Sequence, residues 1–138
     1  MIETELRRAA VIATEVRFKD RPFDWRKAAT CIHLVRFHAA QMGHKLPVVP
    51  KFKSALGAKK ALLSTGFQTL PALLDSRFDR IPPAFMRVGD ILAMPGDEGW
   101  EGLLLKGDKV KFLGWHQDVA GCEYMEIDMG AAIGAWRL

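Results

Sequence analysis

Cysteine is scarce in this chain: Cys31 and Cys122 are the two among 138 residues. Two thiols make no disulfide scaffold, so both are expected to be free cysteines of a reducing compartment. Long apolar runs are missing as well. Nothing approaches the ~20 residues that a membrane-spanning helix requires, so no span is expected. The first residues include Glu3 and Glu5 and lack the apolar segment of a signal peptide, so export by the usual route is not expected either. No internal repeat or low-complexity stretch appears. Lys and Arg form no tight cluster interleaved with aromatics, so nucleic acid is not an expected partner. Cys31, His33, His38, His116 and Cys122 match no recognised zinc spacing. Neither a metal nor another cofactor is expected.

What is present is a globular composition: 49% of residues are hydrophobic and 26% charged, enough to build a core under a solvated surface. The length suits one domain, residues 1–138. The net charge of +4 hides an asymmetry. Residues 1–60 carry 13 Lys and Arg against 5 Asp and Glu, and residues 61–138 carry 7 against 11. The plainest reading is a helical half with solvated basic faces. The asymmetry also offers two unlike surfaces for assembly.

Helical spacing dominates the first half. Leu6, Ala9, Ala10, Ala13 and Val16 recur at the period of an amphipathic helix over 4–17. Thr30 is a suitable N-cap for a second helix, in which Cys31, Leu34, Val35, His38 and Met42 share a face and Gly43 ends the run. Pro47 and Pro50 mark an extended connector. Ser54 caps a third helix to about Thr65, with Leu56, Leu62, Leu63 and Phe67 as its apolar contacts and Gly66 as its stop. Pro71 fits the first turn of a fourth helix that runs to about Phe78. Ile81-Pro82-Pro83 closes this helical part, residues 1–80.

From residue 88 the texture is that of strands. Asp90–Met94 reads as a buried strand. Gly102–Lys106 and Lys109–Leu113 flank Gly107-Asp108, a two-residue hairpin signal. Cys122–Ile127 alternates as a further strand, Gly130–Ala135 suggests a short helical turn, and Trp136-Arg137-Leu138 is expected at a sheet edge. Helices first and strands later is an α+β order.

Cys31 at the first position of a helix is the feature that carries chemistry, because unpaired N–H groups and the macrodipole there favour a thiolate. The structural alternative is a buried cysteine acting as a small hydrophobe beside Leu34 and Val35. Thr30-Cys31-Ile32-His33-Leu34-Val35 resembles the Asp-Cys-Ser-Gly-Leu-Val signature of NlpC-type cell-wall peptidases, keeping Cys, Leu and Val in register. Arg87-Val88-Gly89-Asp90-Ile91 is similar to their second signature, Arg/Lys-Pro-Gly-Asp-Leu. The wider frame is similar to small NlpC-like proteins of tailed phages and gene-transfer agents. It consists of Arg21-Pro22-Phe23-Asp24-Trp25, Gly66-Phe67, Leu73-Leu74-Asp75, Arg80-Ile81-Pro82-Pro83-Ala84 and Ala135-Trp136-Arg137-Leu138. The resemblance covers about residues 20–138. It implies a papain-like (NlpC-like) α+β fold with the N-terminal helices packed on a small antiparallel sheet.

The departures bear on activity. The resemblance places the family's catalytic histidine at the head of the strand after the Gly-Asp strand. Trp100-Glu101-Gly102-Leu103-Leu104 stands there, and no histidine occurs between His44 and His116. A general base must come within about 3 Å of the thiol or reach it through one water. His33, two residues on, points about 160° away around the helix, and His38 lies about 10 Å further along it. His116, near the place of the family's base-orienting residue, is the candidate for a relocated base. The resemblance therefore implies a catalytically inactive relative of these peptidases, a tail-tip docking protein of a virion. It would be made in a bacterial cytoplasm and contact tail hub and distal tail proteins. In that reading Cys31 is a relic and Trp100 plugs the old cleft. The alternative is an active peptidase or amidase on peptidoglycan, with Cys31 as nucleophile, His116 as base and N–H groups at the helix start as oxyanion hole.

Overall fold

The computed structural model describes residues 2–46, 51–96, 100–115 and 120–138. Four helices, α1 (Ile2–Phe18), α2 (Cys31–Gln41), α3 (Ala55–Ser64) and α4 (Leu70–Arg77), precede most of the sheet. None of them is long and apolar enough to cross a membrane. The strands are β1 (Asp79–Ile81), β2 (Ile91–Pro95), β3 (Glu101–Lys106), β4 (Phe112–Gly114), β5 (Glu123–Met125) and β6 (Gly134–Arg137). They form one antiparallel sheet in the order β1-β6-β2-β3-β4-β5. Alternation splits each central strand between two faces. Ile91, Ala93, Leu103, Leu105, Leu113 and Trp136 join the helices in the main core. Leu92, Met94, Leu104, Phe112 and Ala135 make a second cluster, covered by Met86, Ile127, Met129 and Ala132. The α+β architecture inferred from the order of elements is the one observed.

The helix ends lie where local chemistry puts them. Thr30, Ser54 and Thr69 cap α2, α3 and α4 through their hydroxyls, each accepting from the N–H three residues on. Gly43 and Gly66 follow α2 and α3 at φ +91° and +92°. The sides of the helices depart further from expectation. On α1 the buried residues are Arg7, Ala10, Val11, Thr14 and Phe18, whereas Leu6 and Val16 are 64% and 80% exposed. Arg7 takes the inner side because fixed acceptors await it there. On α3, Ala58 and Leu62 are buried and Leu56 and Leu63 face out. The smaller Ala58 permits closer approach to the core.

The sheet also differs at its ends. Asp79-Arg80-Ile81, read as the end of the helical part, is the edge strand β1, so the sheet begins before residue 88. The C-terminal segment is not an edge: β6 lies between β1 and β2. The turn expected within Gly130–Ala135 is a single 3-10 turn, Met129–Ala131, and β6 starts at Gly134. Gly107-Asp108 does not form a two-residue hairpin. Gly107 N–H still reaches the Lys111 carbonyl at 2.9 Å, and Asp108–Val110 makes the turn with Lys109 at φ +58°. The connector at Pro47 and Pro50 lies outside the described residues.

The helical layer and the sheet meet at Asp90, which has no exposed surface. Its Oδ1 accepts from Arg7 Nη2 and, at 3.3 Å, from Leu138 N–H. Its Oδ2 accepts from Arg87 N–H at 2.9 Å and from Arg137 Nε at 2.8 Å. Arg7, itself buried, also donates Nε to Val88 O and Nη1 to Leu138 O, both at 2.7 Å. Gly89 sits at φ +91°, a conformation that glycine adopts without strain. Its carbonyl accepts from His38 Nε2 at 2.8 Å, which fixes the neutral tautomer with Nδ1 toward the Thr14 hydroxyl, 3.3 Å away. Burial lowers the His38 pKa to about 4, against partial compensation from the Gly89 and Ala10 carbonyls.

Two outcomes follow from this junction. Asp90→Asn, which leaves the Arg7 and Arg137 cations without their counter-charge, is expected to cost about 3–5 kcal/mol in urea unfolding at neutral pH. A loss below about 1 kcal/mol would mean that the junction does not hold the layers together. Between pH 6.5 and 4 the unfolded chain takes up a proton at His38 that the folded one refuses, so stability falls as pH is lowered through that window. His38→Gln should lose that part of the pH dependence, read from urea midpoints across the same range.

Candidate functional site

The approach to α2 is a small closed loop. Asp24 and Ala29 exchange backbone hydrogen bonds at 2.9 and 3.1 Å, Asp24 Oδ1 accepts from Arg26 N–H at 2.8 Å, and Ala28 takes φ +54°. This delivers Thr30 in extended geometry, φ −127°, as the N-cap, and Cys31 as the first helical residue. The helix start faces the head of β3. Cys31 Sγ lies 3.9 Å from the Glu101 carbonyl oxygen, toward which the thiol donates.

That contact works against a thiolate. A carbonyl oxygen welcomes a thiol proton and repels a sulfur anion. Burial pushes the Cys31 pKa up to about 11; backbone N–H groups of Leu103, Cys31 and Ile32 pull it part of the way back, and the Glu101 carboxylate pushes it up further. The expected benefit of the helix start is present but smaller than the cost of desolvation. With a pKa near 11 the sulfur is mostly thiol at neutral pH, the less nucleophilic form.

The structure brings Glu101 to Cys31 and sets Trp100 beside it, buried. The Trp100 ring packs against Trp25 at 5.9 Å between centroids, and Lys59 Nζ stands 5.1 Å from its centre. Trp25 in turn meets Phe52 at 5.9 Å and Phe23 at 5.2 Å, and Phe23 meets Trp115 at 5.8 Å. An aromatic wall thus runs beside the start of α2. Trp25 and Lys59 were not apparent as parts of this neighbourhood from sequence; the Phe23-Asp24-Trp25 lead-in carried the one signal.

His116 lies outside the described residues. The three described imidazoles are each engaged elsewhere. His33 Nδ1 is 2.8 Å from Thr30 Oγ1 and its ring packs on Phe52 at 5.1 Å. His38 is held by Gly89, and His44 packs edge-on to Phe78 at 4.9 Å. Burial, followed by the Arg36 charge, lowers the His33 pKa. Cys122 is fully buried, where burial pushes its pKa up to about 12. Both cysteines are free, and no group of three acidic, His or Cys residues able to hold a metal occurs among the described residues.

The class follows from fold and layout together: this is the fold of NlpC/p60 domains. The P60 domain of the antigen MAP1272c from M. avium paratuberculosis superposes with a TM-score of 0.60 at 16% identity, covering 99% of this chain and 96% of that one. RipD from Mycobacterium tuberculosis, described as a non-catalytic NlpC/p60 domain protein adapted to peptidoglycan binding, gives a TM-score of 0.57 at 18% identity over 96% and 97% of the two chains. Within that fold, the chain belongs to the family described as domain of unknown function DUF6950, whose model matches residues 4–138. No curated protein matches the chain.

The protonated thiol gives a direct expectation. At pH 8 the thiolate fraction of a group with a pKa near 11 is about 100-fold below that of an ordinary cysteine near 9. Iodoacetamide labelling of Cys31, followed by peptide mass spectrometry, should therefore be slow in the native protein. It should rise with pH past 9 and become fast in urea. Rapid native labelling that levels off below pH 8 would show an activated cysteine.

Proposed function

We propose that this protein is a degenerate NlpC-like domain that docks rather than cleaves, serving as a structural component of a phage or gene-transfer-agent tail tip. The observation that carries the reading is the state of Cys31: a thiol donating toward the Glu101 carbonyl, beside Trp100 and Trp25, where a peptidase needs an anion and an imidazole. The tail-tip assignment draws its support from the motif frame over residues 20–138. The basic first half and acidic second half supply unlike surfaces for tail hub and distal tail proteins. The protein would then be made in the host cytoplasm and reside in the virion. Peptidoglycan is a further ligand in this reading, by analogy with the peptidoglycan-binding adaptation of RipD.

An active peptidase is the second reading, and one feature favours it: the N–H groups of Leu103, Cys31 and Ile32 surround the sulfur as thiolate-stabilising donors would. A single experiment separates the two. Purified protein is incubated with peptidoglycan sacculi; the pellet is assayed for bound protein and the supernatant for released stem peptides. Co-sedimentation without released peptide, unchanged by Cys31→Ala, is the expected result. Peptide release abolished by Cys31→Ala would establish the peptidase instead. The tail-tip role is checked by mass spectrometry of purified particles from a producing strain, and absence of the protein from them would refute it.

A further inference from the structure

The apolar stripe of α1 that turns away from the core has a function of its own to explain. Leu6, Ala9, Ala13 and Val16 follow one another at spacings of three, four and three residues, which keeps them on one side of a helix turning 100° per residue. Arg7, Val11, Thr14 and Phe18 occupy the opposite, buried side. Leu6 is 64% and Val16 80% exposed, and Ile12, at the border of the stripe, is 59% exposed. Ala9 is exposed and Ala13 half-buried between them. The spacing is that of a two-helix seam, here turned outward.

The charges beside the stripe select the partner. On one flank Glu3 stands near the start of α1 and Arg17 near its end. On the other flank Glu5 stands near the start, and Lys19, whose N–H still bonds to the Glu15 carbonyl at 2.8 Å, extends the helical path. Arg8, further round the helix, is paired with Asp108 at 3.2 Å. Each flank therefore runs from acidic to basic. A two-fold axis that pairs this helix with an antiparallel copy sets each flank against itself in reverse. Glu3 then meets the copy's Arg17, Glu5 meets the copy's Lys19, and Ile12 meets its own counterpart near the centre. A parallel pair would crowd the acidic ends together. Glu3 already faces Arg87 at 3.4 Å across an exposed ion pair, so the Glu5–Lys19 flank is the cleaner one to manipulate.

We infer that α1 is the interface of a two-fold symmetric homodimer, the second copy of the chain lying antiparallel across Leu6, Ala9, Ile12, Ala13 and Val16. Such an isologous contact is self-complementary and closes at two subunits. It does not depend on the reading of Cys31, and it leaves the start of α2 and the head of β3 outside the contact.

The test is the mass of the intact chain by sedimentation equilibrium at high micromolar concentration. Wild type is expected to be a dimer, weakened by salt as exposed ion pairs are. Val16→Glu, at a position exposed enough to leave the fold unchanged by circular dichroism, is expected to be a monomer. Glu5→Lys and Lys19→Glu each place like charges opposite one another twice, and each should weaken the dimer about tenfold. Mixed in equal amounts, these two variants regain opposite charges at both places and should form a heterodimer tighter than either homodimer. A monomeric wild type overturns the inference. So does a dimer indifferent to Val16→Glu, or a mixture no tighter than its components.

Discussion

Asp90 is a carboxylate sealed from water, and the groups that satisfy it come from opposite ends of the chain. Arg7 reaches it from the first helix, Arg87 N–H from the preceding turn, and Arg137 and Leu138 from the last strand and the residue after it. Buried ion pairs are weak evidence for net stability, because desolvation offsets much of the attraction. Their value here is geometric. An unpaired Arg7 or Asp90 would be intolerable inside, so only arrangements that bring α1, the 87–90 turn and β6 together escape the penalty. The same turn presents the Gly89 carbonyl to His38 and so ties in α2. The orientation of α2, and with it the place of Cys31 over β3, is inherited from this junction.

A second polar cluster fixes the end of the sheet where β1 pairs with β6. Arg80 holds Asp75 with two hydrogen bonds of 2.9 Å, Trp136 Nε1 donates to the same carboxylate at 2.8 Å, and the Arg80 guanidinium lies 4.9 Å from the Trp136 ring centre. Arg80 and then Trp136 hold the Asp75 pKa below the usual carboxylate range. Residues from three separate stretches of the motif frame thus meet in one structural contact joining α4, β1 and β6. The frame marks how the fold is locked, and its presence is compatible with a silent active site.

What sequence revealed, and what it concealed, divides along the range of the forces involved. Helix starts and stops were legible because Thr30, Ser54, Thr69, Gly43 and Gly66 act on their own neighbours. The inward side of α1 was not legible. Apolar periodicity favours Leu6 and Val16, whereas the decisive partner of Arg7 is Asp90, 83 residues away. β1 was hidden for the same reason: Asp79-Arg80-Ile81 has no strand-like pattern and becomes a strand by pairing with β6. At the site, the placement of Cys31 at a helix start could be read locally, whereas Trp100-Glu101 was placed opposite it through the likeness of the motifs. The protonated state could not be read in either way, because it depends on burial in the assembled fold, which outweighs the backbone donors at the helix start.

The Glu101 carbonyl is a second feature, beside the lack of an imidazole at the head of β3, that bears on the reactivity of Cys31. Exchanging a side chain at position 100 or 101 would add an imidazole and leave the Glu101 carbonyl where it is. The largest contribution to the raised Cys31 pKa is burial; the Glu101 charge is the smallest named. Substituting Glu101 by an imidazole would therefore remove a minor obstacle and leave the major one. Cys31 is half-buried, and a larger share of solvent, or a fixed set of donors in its place, would be needed to stabilise the thiolate. The donors at Leu103, Cys31 and Ile32 are backbone groups, supplied by the fold whatever the side chains do. They persist because the fold persists, so their presence records architecture. The side chains around them vary independently of the backbone, and at this site burial favours a neutral thiol.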